Sequence, residues 1–262
     1  MKKVLISRGG GGLTGLDLHA GMWMAMQERG IIPTHLIGNS AGAITSAFHA
    51  VGNTADEFMS LISVLKDDDV LDPRFMWKFR ILWLKWISDI EKTEHILKCN
   101  LSEDWSDYKI RFETVTCDIR DWTKVTLGES QDYTPIDAVI ASMSISGYFP
   151  WKQIGDRFFT DGGVRANLPL PRNWKDYDEV YLLIASGRHY TTTSDNILSR
   201  LLANIRGYSL DQIYDVLEIV RGESHPNTEV HVLWPPFEVG RCMNFDHTLI
   251  EKAYHYTKDM LE

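Results

Sequence analysis

The chain has 262 residues, of which 44% are hydrophobic and 24% charged, with a formal net charge of −9. That length buries a full core without staples, and the acidic balance excludes nucleic acid as the main partner, because phosphate binding needs a concentrated basic surface. The three cysteines, Cys99, Cys117 and Cys242, are odd in number and widely spaced, so they suggest neither a disulfide framework nor a metal site, and they fit a reducing compartment.

Val4 to Ser7 reads as a short buried strand that ends in Gly9-Gly10-Gly11-Gly12. This apolar start is too short for a signal sequence, and no later apolar run reaches membrane-spanning length, so the expectation is a soluble cytoplasmic protein. A helix rich in Leu, Met and Ala follows from Leu13 to Arg29, and Gly30 stops it. His35 to Ile37 is a second strand, ending in Gly38-Asn39-Ser40-Ala41-Gly42, and Ala43 to Ala50 is the next helix. Strand, glycine turn and helix, given twice, is the pattern of a parallel sheet with right-handed crossovers. Lys66 to Asp69 is a solvated break, and Asp72-Pro73 is a helix start.

Arg111 to Cys117 and Lys124 to Leu127 form a strand pair, and Asp137 to Met143 a short helix. Arg157 to Thr160 is a strand running into Asp161-Gly162-Gly163, and Glu179 to Ala185 is a strongly apolar strand. Asn196 to Arg221 gives one or two helices, Glu229 to Trp234 a strand stopped by two prolines, and Asp246 to Leu261 a terminal helix with Asp246 as N-cap. With no repeat or linker, the expected fold class is α/β: a single domain over residues 1–262 with a central, mainly parallel sheet flanked by helices.

Three short motifs carry chemistry. Gly38 to Gly42 fits G-x-S-x-G, in which a tight strand-to-helix turn projects the Ser40 hydroxyl and the following helix N-terminus favours an alkoxide. Taken alone the pentapeptide also suits an ordinary βα turn. The backbone N–H groups of Gly10, Gly11 and Gly12 form a loop able to cradle an oxyanion. Glycines at 10, 12 and 15 also match a dinucleotide fingerprint, but the second strand ends in Gly38-Asn39-Ser40 where that reading needs an acidic residue. Asp161-Gly162-Gly163 sets a carboxylate at a strand end, a pattern that equally suits a turn.

Taken in order, these motifs resemble those of the patatin-like phospholipase family: G-G-G-x-[RK]-G, then G-x-S-x-G, then D-G-[GA]. Ala141 to Pro150 resembles the family's small-residue segment ending in Phe-Pro, and Thr116-Cys117-Asp118 its Thr-Asp strand end. The resemblance implies a patatin-like fold in which Ser40 is the nucleophile and Asp161 the base of a dyad without histidine. It also implies an oxyanion hole of Gly10, Gly11 and Gly12, a lipid or phospholipid substrate, and no metal or organic cofactor. Thr14 departs from the pattern by standing where the family has Lys or Arg. Of the nine histidines, His225 and His247 follow Asp161, so a Ser-Asp-His order is available. An α/β-hydrolase elbow, however, follows several strands rather than two, and the histidines read as structural. The rival from another class is a non-catalytic lipid- or protein-binding module on the same fold, and behind it stands a dinucleotide-binding oxidoreductase.

Arg74 to Ile87 holds ten apolar and four basic residues and no acid, with Phe75, Trp77, Phe79, Trp83 and Trp86 among them. Arg74, Lys78 and Lys85 share one helical stripe, roughly opposite the aromatic residues. Two readings stand side by side: transient contact with a membrane surface, making the protein peripheral there, or a core or lid helix.

Overall fold

A computed structural model describes residues 2–70, 90–146, 148–188, 197–239 and 243–262. The helix start at Asp72-Pro73, the aromatic segment Arg74 to Ile87 and Cys242 lie outside the described residues. The strands are β1 (Val4–Arg8), β2 (His35–Gly38), β3 (Arg111–Asp118), β4 (Thr123–Leu127), β5 (Lys152–Ile154), β6 (Arg157–Asp161), β7 (Glu179–Leu183) and β8 (Glu229–Leu233). The helices are α1 (Gly12–Glu28), α2 (Ala41–Val51), α3 (Ala55–Ile62), α4 (Asp67–Val70), α5 (Ile90–Asn100), α6 (Pro135–Met143), α7 (Ile197–Gly222) and α8 (Thr248–Met260). Among the described residues no helix is long and apolar enough to cross a membrane.

The strands form one sheet flanked by helices. The run β3-β2-β1-β7-β8 is parallel throughout, and β4, β5 and β6 are antiparallel additions at the β3 side. β1 sits in the middle and is buried along its whole length, as a strand covered on both faces must be. Its side chains alternate between two cores. Val4 and Ile6 pack with Leu16, Trp23 and Phe48, on the side of α1, α2 and α8, while Leu5 packs with Trp174, Ile213 and Leu217 under α7.

The pairing along β3 decides where the site forms. Thr114 pairs with both Gly38 of β2 and Leu127 of β4, so those two strands hold opposite edges of β3. Thr116 pairs with both Val125 of β4 and Asp161 of β6. β6 therefore lies on the same edge as β2 and continues the line of that strand from the other direction. Their last residues, Gly38 and Asp161, are two β3 positions apart, about 7 Å along the strand.

Four of these elements, α3, α4, α5 and β5, were not read from the sequence. Helix α3 opens with a capping box in which the Thr54 hydroxyl accepts from Glu57 N–H and the Glu57 carboxylate accepts from Thr54 N–H. Helix α5 buries only Thr93 and Leu97, too sparse an apolar stripe to stand out. Strand β5 is three residues long. The expected break at Lys66 to Asp69 runs into the one-turn helix α4, and α6 begins at Pro135, two residues before the expected start, because Thr134 is its N-cap. Asp246 stands one residue before the N-cap of α8, His247, although its carboxylate accepts from Thr248 N–H.

Candidate active site

Ser40 is placed by the tight turn between β2 and α2. Its backbone sits at φ 52°, ψ −120°, a region that L-residues avoid, and its N–H donates to Ser142 Oγ at 3.1 Å. Ser142 in turn donates to the Val115 carbonyl at 2.6 Å, so α6 and β3 both brace the turn. The flanking glycines are required by crowding. A Cβ on Gly38 would lie 2.3 Å from the Gly42 oxygen, and one on Gly42 would lie 2.2 Å from the Arg8 oxygen.

The glycine loop between β1 and α1 packs against this turn. Gly9 N–H donates to the Leu183 carbonyl and Gly10 N–H to the Asn167 carbonyl, each at 2.9 Å. Gly10 N–H is thus already engaged. Among the described residues nothing accepts from the N–H of Gly11 or Gly12, which lie at the N-terminus of α1 where the helix dipole is positive. His19 supports the loop from beneath by donating from Nε2 to the Gly9 carbonyl at 2.8 Å. Burial holds its ring neutral, with a pKa lowered to about 3. Thr14, where the family has a basic residue, is buried and donates to the Gly11 carbonyl at 3.2 Å.

Gly11 is a glycine for close packing. A Cβ there would lie 2.6 Å from the Ala185 oxygen and 2.9 Å from Gly15 Cα. Gly11→Ala is therefore expected to lose both activity and stability, the latter by about 1–3 kcal/mol. Thermal denaturation beside an ester assay checks this, and loss of rate with an unchanged melting temperature would show that the collision is absorbed.

Asp161 ends β6 and faces the turn. Its Oδ1 accepts from Gly163 N–H at 2.7 Å, while Oδ2 has no partner at full hydrogen-bond geometry. Burial pushes the carboxyl up to about 6, and the approach of the Ser40 hydroxyl, the Gly163 N–H and the Asn39 amide limits the rise. A carboxylate of that affinity can take a proton near neutral pH.

A narrow apolar cleft of about 70 Å³ opens at Ser40 and runs between α1, α2, α3 and α5, lined by Leu16, Ile44, Phe48, Phe58, Ile62 and Leu97 among others. A larger hollow of about 780 Å³ lies at the opposite end of the strands, beside Lys2, Glu179 and Glu229, remote from Ser40.

The structure thus brings Ser40, Asp161 and the glycine loop together. It keeps His225 and His247 elsewhere: His225 bonds the Val220 and Thr228 carbonyls, and His247 bonds Asp17. Among the described residues no group of three or more His, Cys, Asp or Glu is gathered as a metal requires. Sequence reasoning missed Asn39, Asn167, Ser142 and His19. Asn39 stands inside the G-x-S-x-G motif and Asn167 four residues after Asp161-Gly162-Gly163, but nothing in those motifs says where an amide points.

The family model described as patatin-like phospholipase matches residues 6–174. Uncharacterized protein YqhO of Bacillus subtilis (strain 168) is 30% identical over 191 residues, which are 62% of this chain and 63% of that protein. Among solved structures, VipD from Legionella pneumophila superposes with a TM-score of 0.53 at 15% identity, over 99% of this chain and 66% of VipD. The chain thus spans just under two thirds of each of these two proteins.

Proposed function

Because the chain belongs to the patatin-like phospholipase family, we propose that it is a serine acyl hydrolase that cleaves ester bonds of phospholipids or related lipids. The observation that carries this reading is the buried Asp161, pushed up to about 6, facing a Ser40 held in a strained turn. Ser40 Oγ attacks the ester carbonyl and its proton passes to Asp161. The carbonyl electrons move onto oxygen, where the free N–H groups of Gly11 and Gly12 meet the charge, each such donor being worth about 3 kcal/mol. Collapse expels the alcohol, which takes the proton from Asp161 and leaves an acyl-serine. Water then repeats the sequence, giving its proton to Asp161 and releasing the acid and Ser40. The apolar cleft takes the acyl chain. Transient contact of Arg74 to Ile87 with a lipid surface belongs to the same proposal.

An alkyl fluorophosphonate tests the reading directly. The expected result is one adduct per chain, on the peptide carrying Ser40, and none in Ser40→Ala. An adduct elsewhere, or none at all, would refute it. The cleft makes a separate prediction. Ile44 lies one turn after Ser40 on the cleft wall. Ile44→Trp should depress hydrolysis of long-chain esters by roughly tenfold or more relative to the acetate ester. Equal loss on both substrates would mean that the chain binds outside this cleft.

A further inference from the structure

The side chain of Asn39 is fully buried among groups that leave few partners for it. Nδ2 donates to Asn167 Oδ1 at 3.4 Å, and Oδ1 has no partner. An amide nitrogen has two donors, so one remains. The Asp161 carboxylate is near enough to be its partner: a Cβ built on Gly163 would lie 2.8 Å from Asp161 Oδ1 and 3.3 Å from Asn39 Nδ2. The flipped amide would turn an oxygen toward the carboxylate, so charge favours the orientation seen. Asn167 ties the pair to the glycine loop. Its carbonyl accepts from Gly10 N–H at 2.9 Å, and its Nδ2 donates at 3.3 Å to Ser186 Oγ, which donates to the Gly10 carbonyl at 3.2 Å. Its own N–H is held by Gln212 Oε1 at 2.7 Å.

Resting on the Ser40–Asp161 reading, we propose that Asn39 is a positioning residue for Asp161, giving one N–H to Asn167 and turning the other on the carboxylate. The role is that of the third member of a hydrolase triad, but it is played by a group that does not titrate. Asn39 precedes the nucleophile directly, so the same turn that strains Ser40 also aims the amide. Through Asn167 the oxyanion loop, the nucleophile and the base become one hydrogen-bonded unit.

The charged and titratable groups on the elements packed around Asp161 leave this assignment to the amides. Asp118 on β3 pairs with Arg157 on β6 at 2.6 Å, and Arg165 donates to the Trp122 carbonyl. Burial raises the Cys117 thiol, so it stays protonated. Arg8 on β1 is engaged by Ser46 and His49, and burial holds His19 and His49 neutral. On α6, Asp137 pairs with Lys152, and Asp211 and Asp215 on α7 are exposed. Glu113 and His35 pair with each other at the far ends of β2 and β3.

The test follows the acidity of Asp161 in two ways. The first is the pH profile of kcat/KM on p-nitrophenyl butyrate, with kcat and KM separated. The second is the side-chain carboxyl ¹³C resonance of Asp161, assigned by its absence in Asp161→Asn and needing no substrate. Asn39→Leu keeps the volume and removes the donor. Its acidic limb and its ¹³C midpoint should both rise by about one pH unit, because a hydrogen bond to the charged form is lost. kcat should fall roughly tenfold or more with KM within about twofold. Asn39→Ser, with a shorter donor, should restore part of both shifts. If Asn39→Leu does not fold, Asn39→Ser carries the test by the same midpoint, displaced in the same direction. An unmoved ¹³C midpoint in whichever variant folds would overturn the inference. A moved midpoint in the variant, with a wild type that hydrolyses no ester, would instead overturn the acyl hydrolase reading and leave the contact standing.

Discussion

Ser40→Ala is expected to reduce ester hydrolysis by about 10³-fold or more, to the level left by a bare oxyanion loop and binding cleft. Ser40→Gly should be equally inactive and yet more stable than either. The reason is the backbone at Ser40. At φ 52°, ψ −120° an L-residue carries about 1–3 kcal/mol of strain, which glycine does not feel. Alanine keeps the strain and loses only the hydroxyl. Urea denaturation of the three proteins should rank glycine above serine and alanine, with a gain of about 1 kcal/mol after the extra chain entropy of glycine is set against it. If glycine were the least stable of the three, the turn would not be storing strain, and the argument that it exists to present a hydroxyl would lose its energetic support.

Asp161→Asn should be nearly as damaging to turnover, by about 10³-fold, and should stabilise the fold at neutral pH. Burial raises this carboxyl from 3.8 to about 6. The folded state therefore binds its proton more tightly than the unfolded chain does, and holding the charged form at pH 7 costs folding free energy. The two values differ by about two pKa units, or about 3 kcal/mol as an upper figure. An uncharged amide avoids that cost. The gain over wild type should be complete above pH 6, shrink as the pH falls toward 4, and vanish below it, where wild-type Asp161 is protonated in both states. Melting curves from pH 4 to 8 check this. A stabilisation constant across that range would mean that something other than ionisation sets the difference. In the same window wild-type kcat/KM should rise with pH through about 6, because the base works only when deprotonated.

Much of the site was legible because its chemistry is written locally. The Gly38 to Gly42 turn, the glycine loop and Asp161-Gly162-Gly163 each state a backbone conformation that few other residues permit, and each is a strand end. The order of strands and helices around them followed from apolar runs punctuated by glycine. What was not legible depends on which surfaces meet. Asn39 is one residue from Ser40, but its partner Asn167 is brought to it only by the folded chain. Gly10 looks like an oxyanion donor until Asn167 is seen accepting from it. His19 is one of several histidines in sequence and becomes distinct only beneath Gly9. Helix α3 is different, because Thr54 and Glu57 carried its start signal in plain view.

The placement of β6 on the edge of β3 already shared with β2 has a consequence for how the molecule acquires its site. The β2 turn itself is encoded in the first part of the chain, whereas Asp161 arrives with a hairpin encoded far downstream. Closing so long a loop is slow compared with forming neighbouring helices. A chain in which that hairpin has not docked holds Ser40 without Asp161 beside it. On the proposed reading, ester cleavage would have to wait until the sheet has been completed and Asp161 stands opposite Ser40.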